Sequence, residues 1–348
     1  PDEIFFPENL WPLNGSEITR GTTFEANFVP VNPNRFYASS NNTAGYVTAE
    51  VGLTKSLKTI AGVRLEHFTQ RYTGQDQLGS RVLDNEKVLD KTNLFPSINL
   101  IYNIKDRQNL RFSYAKTIAR PSFKEMSFAE ISDPVSNRTF VGGMFMDENR
   151  NLGIKYWDGN LRCSFISNID IRWEWFMKEG QMISLSGFYK NFIDPIEVVQ
   201  FATQSGSFQP RNVGDGKVFG TELELRQNFG FIGKTFKNLS ISGNVSVTRS
   251  RIELSSTEYL SRVENARTGQ EIGKYRVMAG QAPYIINAGL SYNGGEKGFA
   301  NGFEAGFYYN VQGMTLQYVG IADLPDIYSM PFHSLNFNAS KSIGKDKK

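Results

Sequence analysis

Apolar and polar residues alternate along most of this chain. In LRFSYAKTIA, Leu110, Phe112 and Tyr114 fall on one face and Arg111, Ser113, Ala115 and Thr117 on the other. Side chains with a period of two describe an extended segment with one dry side and one wet side. The pattern recurs. Ile169, Ile171, Trp173 and Trp175 oppose Asp170, Arg172 and Glu174; Leu223 and Leu225 oppose Glu222, Glu224 and Arg226; Val245 and Val247 oppose Asn244 and Ser246; Leu335 and Phe337 oppose Asn336 and Asn338. About eleven strands are predicted, at 44–53, 57–72, 92–104, 108–120, 160–178, 181–201, 217–229, 236–252, 283–294, 301–313 and 331–343. No helix of about ten residues or more stands out, and segment 255–268 is the best candidate. The chain is read as all-β.

The predicted connections alternate in length. Short turns sit near 54–56, 105–107, 179–180, 230–235 and 295–300; long loops sit at 73–91, 121–159, 202–216, 253–282 and 314–330. Membrane barrels have short periplasmic turns and long extracellular loops. A soluble sandwich mixes connection lengths, because Greek-key crossings intervene. Two observations favour the barrel. Tyr102, Trp173, Trp175, Phe229 and Tyr292 gather on the apolar face near the short-turn ends, as in an interfacial aromatic girdle. Charge sits at mid-strand on the polar face, which a wide water-filled or plugged lumen accommodates and a small filled barrel does not.

Composition narrows this further. The 348 residues carry 38 Lys plus Arg against 35 Asp plus Glu, a net charge of +3. That balance gives no reason to expect nucleic acid as a partner. Mean hydropathy is −0.37, and no apolar run is long enough for a transmembrane helix, which leaves strand-based crossing open. The 27 Phe and 15 Tyr make the chain rich in aromatics. The lone Cys163 is expected to be a small buried or strand residue. The chain starts PDEIFF with no visible signal peptide, so it reads as a mature segment or as one with its ends removed.

Motifs for chemistry are not found. HExxH, GxSxG, the P-loop and CxxC do not occur. MDENRN at 146–151 lacks the spacing of a twelve-residue calcium loop. Glu222 and Glu224 share a strand face and are read as lumen wall. No catalytic residue, metal site or cofactor is expected, and the chain is not read as an enzyme.

The strand at 110–119 runs into Arg120-Pro121, where proline ends the ladder. LRFSYAKTIARPSFKEM resembles the strand-to-loop segment of TonB-dependent outer-membrane receptors, where Arg-Pro commonly ends a barrel strand. NIDIRWEWFMKEGQMISLSGFYKNF, from Asn168, looks like that family's hairpin, and PRNVGDGKVFGTELELRQNF (210–229) is similar to its glycine-then-glutamate strand. APYIINAGLSY (282–292) and PFHSLNFNASKSIGKDKK (331–348) resemble its late strands. There are departures. KYWDGNLRCSF (155–165) stands where the family often has an Asn-Pro…Leu-x-Pro-Glu element, no plug domain or TonB box is found, and the chain ends in GKDKK instead of an aromatic-terminated strand.

The resemblance implies a transmembrane antiparallel β-barrel, of which this chain holds about 11 of about 22 strands. Residues 1–43 are read as an extracellular loop remnant and 44–348 as one incomplete barrel domain, multi-pass in a Gram-negative outer membrane. The implied function is import of a scarce nutrient (a metal chelate, cofactor, peptide or glycan) bound at extracellular loops and driven by energy from TonB. A passive porin or secretion barrel, and a soluble all-β adhesin, are the alternatives. Implied partners are outer-membrane lipid, the rest of the barrel and plug, the TonB complex through that plug, and a surface lipoprotein. The absence of an acidic NGDG-type segment weighs against glycans. Candidate ligand-binding residues are Arg120, Phe140, Phe145, Asp147, Arg150, Tyr156 and Trp157. Arg120 has a second reading, as a cap on the strand rim paired with a carboxylate, and the loop aromatics, Phe208 included, have one as packing.

Overall fold

The computed structural model describes residues 32–178, 180–295 and 300–343. Eleven long strands form one antiparallel sheet: β1 (Tyr37–Gly52), β2 (Leu57–Gln75), β3 (Val82–Lys105), β4 (Gln108–Ala119), β5 (Ser164–Lys178), β6 (Gln181–Ile193), β7 (Gly216–Asn228), β8 (Leu239–Glu253), β9 (Tyr284–Asn293), β10 (Phe303–Gln312) and β11 (Phe332–Lys341). Each pairs with its neighbours in chain order, and the two-residue strand Tyr275–Arg276 adds to β8. Such an up-and-down meander is the topology that closes into a barrel. Here β1 and β11 are not joined, so the described residues form an open sector of a wall.

Register fixes the two faces. Leu110, Trp173, Leu185, Leu223, Val245 and Ile286 lie opposite one another in one unbroken row across β4–β9. One residue along, Asn109, Glu174, Ser184, Glu224, Asn244, Asn287, Asn310 and Ser334 form a row that is polar from β4 to β11. Paired residues share a face, so the sheet is apolar on one side and hydrophilic on the other. Leu185 on the apolar side is 52% exposed. A belt of that kind suits lipid, with the polar rows lining a lumen.

The lumen rows are cross-linked by charge. Arg111 donates to Glu174 at 2.8 Å, Arg172 to Glu174 and Glu224 at 2.9 Å each, and Arg226 to Glu224 at 3.0 Å. Beyond them, Asn310 donates to Asn287 and Asn287 to Asn244.

Three strand boundaries differ from the sequence expectation. β1 starts at Tyr37, so residues 37–43 belong to the wall, while 1–31 lie outside the described residues. The expected loop 73–91 is mostly strand, leaving only 76–81 as connection. Here Tyr72 and Leu89 pack against loop residues, so the hydrophobic alternation fades although the ladder continues, with bulges at Gln70/Arg71 and Tyr72/Gly74. The expected strand 181–201 breaks at Asp194-Pro195. Asp194 has φ 52°, and proline cannot extend the ladder, so Ile196–Gln200 starts a separate strand. Segment 255–268 contains one helix, α1 (Ser256–Glu264), capped by the Ser255 hydroxyl accepting from the Glu258 N–H.

The strand ends Gly52 and Leu57, Lys105 and Gln108, Lys178 and Gln181, Asn228 and Leu239, and Asn293 and Phe303 lie at one end of the sheet, where the connections at 53–56, 106–107 and 229–238 are found. Those at 76–81, 120–163, 194–215, 254–283 and 313–331 lie at the other. The second group is long apart from 76–81. No helix among the described residues is long and apolar enough to cross a membrane, which says nothing of strands.

Candidate functional site

The long connections build a cap at their end of the sheet. Ile196–Gln200, Ser207–Asn212, Arg138–Val141 and Glu130–Asp133 form a four-stranded sheet in that order. A bridge between Val199 and Val319 ties it to the hairpin Thr315–Tyr318/Ile327–Ser329. Beneath it, Met126, Phe128, Met144, Trp157, Leu161 and Cys163 pack with Tyr72 and Leu89 of the β2–β3 hairpin. These loops therefore own a hydrophobic core, which is unusual for connections that merely trail in solvent.

Two buried polar clusters hold the cap. In the first, the fully buried Asp147 carboxylate accepts from the Ala202 N–H at 2.8 Å, from the Thr203 hydroxyl at 2.9 Å and from the Arg211 guanidinium. Arg211 also donates to Gln209 Oε1, whose amide nitrogen donates to the Gly142 and Phe145 carbonyls. In the second, Arg276 bridges Glu197 at 2.7 Å and Glu258 at 2.6 Å, and Arg262 joins Glu258 to Asp326. Burial pushes the Glu197 carboxyl above the ordinary carboxylate range, with Arg276 opposing it. These pairs tie α1 to the 194–215 connection and to the 313–331 connection.

Between these elements lies a cleft of about 1410 Å³. Its walls come from 76–81, from 144–156, from Ala202 and Thr203, from Glu264 and Asn265 at the end of α1, and from Ala322 and Asp323. Phe128, Met144, Phe145, Met146 and Ile154 supply apolar surface. Arg81 stands over the Phe128 ring, 5.3 Å from its centroid, and donates to the Met144 carbonyl. Tyr156 is half-buried. Desolvation raises its phenol pKa, and the negative charges of Asp147, Glu264 and Asp323 raise it further.

Of the seven candidate residues, Phe145, Arg150 and Tyr156 line this cleft. Arg150 is exposed and paired with Glu148 at 2.7 Å. Asp147 has no exposed surface, and its oxygens are engaged by the cap itself. Trp157 is buried and donates to the Gly143 carbonyl at 2.8 Å. Phe140 lies in the loop sheet with the Lys124 ammonium 4.4 Å from its ring centroid. Arg120 lies outside the cleft, pairs with Glu66 on β2 and stacks on Phe68 at 4.4 Å. Phe208 packs on Tyr318 at 4.4 Å between centroids.

Sequence reasoning did not single out Arg81, Glu264, Asn265 or Asp323, nor the clamps Arg211, Glu197 and Arg276. Most sit in polar connections where one charge looks like another, and Glu197 lies within the apolar run IEVVQ that reads as wall strand. Among the described residues no group of three or more His, Cys, Asp or Glu is placed to hold a metal.

No curated protein sequence matches this chain. Three solved structures resemble it. The copper transporter OprC aligns with TM-score 0.60 and 14% identity, over 88% of this chain and 41% of that one. The siderophore receptor PiuA from Acinetobacter baumannii aligns with TM-score 0.57 and 13% identity, over 89% and 38%. The ferric yersiniabactin uptake receptor FyuA from Yersinia pestis aligns with TM-score 0.54 and 16% identity, over 88% and 39%. At such identities the likeness speaks for the fold, and this chain spans about two fifths of each structure's length. The model of the TonB-dependent receptor-like β-barrel family matches residues 8–342, and with the strand order, the two-faced wall and the loop cap this shows that the chain belongs to that family.

Proposed function

We propose that this chain is the outward-opening part of an outer-membrane receptor that captures a scarce nutrient in the loop cleft and passes it through the lumen with TonB-transmitted energy. The carrying observation is the cleft itself. Five separate connections, all at one end of the sheet, converge on a single opening of about 1410 Å³. Binding pockets for small ligands typically measure about 300–1,000 Å³, so this one has room for a bulky nutrient such as a metal chelate, cofactor, peptide or oligosaccharide. Iron, copper and siderophores appear in the names of the similar structures, which favours a metal or its chelate among these.

In this reading the residues do no covalent chemistry. Phe145, Tyr156 and the neighbouring methionines offer apolar contact, and Arg81, Arg150, Glu264 and Asp323 offer charge at the rim. The charged lumen ladder from Arg111 to Arg226 faces a plug domain. The remaining barrel strands, the plug, TonB and a surface lipoprotein are the partners this reading calls for. The test is uptake in cells whose growth depends on the nutrient. Loss of growth on deleting the gene, reproduced by deleting TonB, supports the reading. Uptake that persists without TonB makes the protein a passive channel.

A further inference from the structure

We propose that connection 229–238 is a membrane-interface anchor, seated in the headgroup region of the phospholipid leaflet at the short-connection end of the wall. This rests on the reading of the sheet as a membrane wall. The connection is FGFIGKTFKN, and its form differs from that of 106–107. At 106–107 two polar residues suffice to reverse the chain. Here two short 3₁₀ turns, Phe229–Phe231 and Lys234–Phe236, build a small platform. The Asn228 side chain accepts from the Gly230 N–H, fixing how the platform leaves β7.

The platform presents apolar side chains that the sheet does not cover. Phe231 is 71% exposed, Ile232 61% and Phe236 48%. The Phe229 and Phe231 rings lie 6.2 Å apart, so the aromatic surface is shared. A turn whose task is only to connect two strands in water has no use for this surface. Lys234 and Lys237 are exposed on the same platform, and the ten residues contain no acidic side chain. Aromatic rings flanked by lysine, with no compensating carboxylate, match an anionic headgroup layer over acyl chains.

Position commits the occupant. The apolar row of the wall passes through Leu223 and Val245, on the two strands this connection joins, and the aromatics Trp175, Tyr292 and Phe303 stand near the same end. Tyr292 and Phe303 pack at 6.3 Å on the next hairpin. The platform continues a lipid-facing belt beyond the last strand residue. β7 and β8 lie in the middle of the sheet, so the exposure does not come from an unpaired edge strand.

The experiment uses the complete receptor in phospholipid vesicles, with a polarity-sensitive fluorophore on a single engineered cysteine (Phe231→Cys, Ile232→Cys or Thr235→Cys) and Cys163 replaced by serine. Heat-modifiable gel mobility selects folded protein at each site. Two quenchers are compared, nitroxide lipid and aqueous iodide. The expected result is strong nitroxide quenching and iodide protection at 231 or 232. Adding anionic lipid should deepen that signal, and Lys234→Gln with Lys237→Gln should remove the anionic-lipid dependence. Iodide access without nitroxide quenching would overturn the anchor and leave the platform in water. Protection from both quenchers would overturn it too, because the platform would then be covered by protein.

Discussion

The Asp147–Arg211 pair offers a severe test of how the cap is held. Asp147 is fully buried, and the Arg211 side chain is 3% exposed. Replacing Arg211 with alanine leaves the carboxylate with two donors, the Ala202 N–H and the Thr203 hydroxyl, and no counter-charge. It also frees Gln209 Oε1. Removing one partner of a buried pair costs about 3–5 kcal/mol, most of it the penalty of an uncompensated charge. At about 1.4 kcal/mol per factor of ten, opening of the cap should become roughly a hundredfold to a few thousandfold more frequent. The barrel strands do not share this cost, because their ladders lie elsewhere. The assay is amide hydrogen exchange on the folded receptor. Exchange should accelerate across 142–157 and 196–212 in Arg211→Ala and stay unchanged in β5–β7. Asp147→Leu combined with Arg211→Met should recover much of the protection, since it removes both charges together. If Arg211→Ala exchanges like the parent, the pair does not hold the cap. If the double replacement exchanges faster than Arg211→Ala, unpaired charge is not the source of the cost.

Three further outcomes are expected. Leu223→Arg places a cation in the lipid-facing row and should cost about 2–4 kcal/mol if it lies near the bilayer midplane, whereas Glu222→Ala on the lumen side should cost far less; urea titration of folding in vesicles compares them. Tyr156→Ala and Arg150→Ala should weaken nutrient binding and growth while heat-modifiable mobility is kept, and unchanged uptake in the double variant would remove this wall of the cleft from ligand contact. Glu130 is held above its ordinary pKa of 4.5 by burial, opposed by a hydrogen bond from Gln77. A raised folded pKa means its contribution is fully present below the unfolded value and lost as pH rises through the folded one. Glu130→Gln should therefore slow exchange of strand 130–133 at pH 7 and do nothing near pH 4; an equal effect at both would point to shape instead of charge.

Much of the wall was legible because its environment is simple. A strand with lipid on one side and water on the other must alternate, so Ile171, Trp173 and Leu223 separate from Arg172, Glu174 and Glu222 at sight. All eleven strands and their order in the sheet follow from that repetition. The reading failed where the two-sided environment ends. Beyond Tyr72 the β2–β3 hairpin packs against the loops, with Tyr72 and Leu89 in their core, so the alternation is lost and 73–91 looks like loop although the ladder continues through most of it. At Asp194-Pro195 the apolar residues go on, as Ile193, Ile196, Val198 and Val199, but they turn from the wall into the loop sheet. Only the proline gives that away.

The cap was the least legible part, for a related physical reason. Its aromatics were recognised as a group, but nothing local separates Tyr156, on a cleft wall, from Trp157, in the core beneath it. One step along the short strand Ile154–Trp157 reverses the side chain, and which side is core depends on what packs there. The same holds for charge. Asp147 and Glu148 are neighbours, yet one is sealed against Arg211 and the other lines the cleft with Arg150. Their roles are set by partners 64 residues apart in one case and 2 in the other, and a single sequence records only the second kind. A deletion of 135–155 would remove strand 138–141 and Asp147 together with the cleft wall. It would test the whole cap at once, which is why single replacements at Arg150 and Tyr156, set against Arg211→Ala, are needed to separate binding from the framework that holds the site.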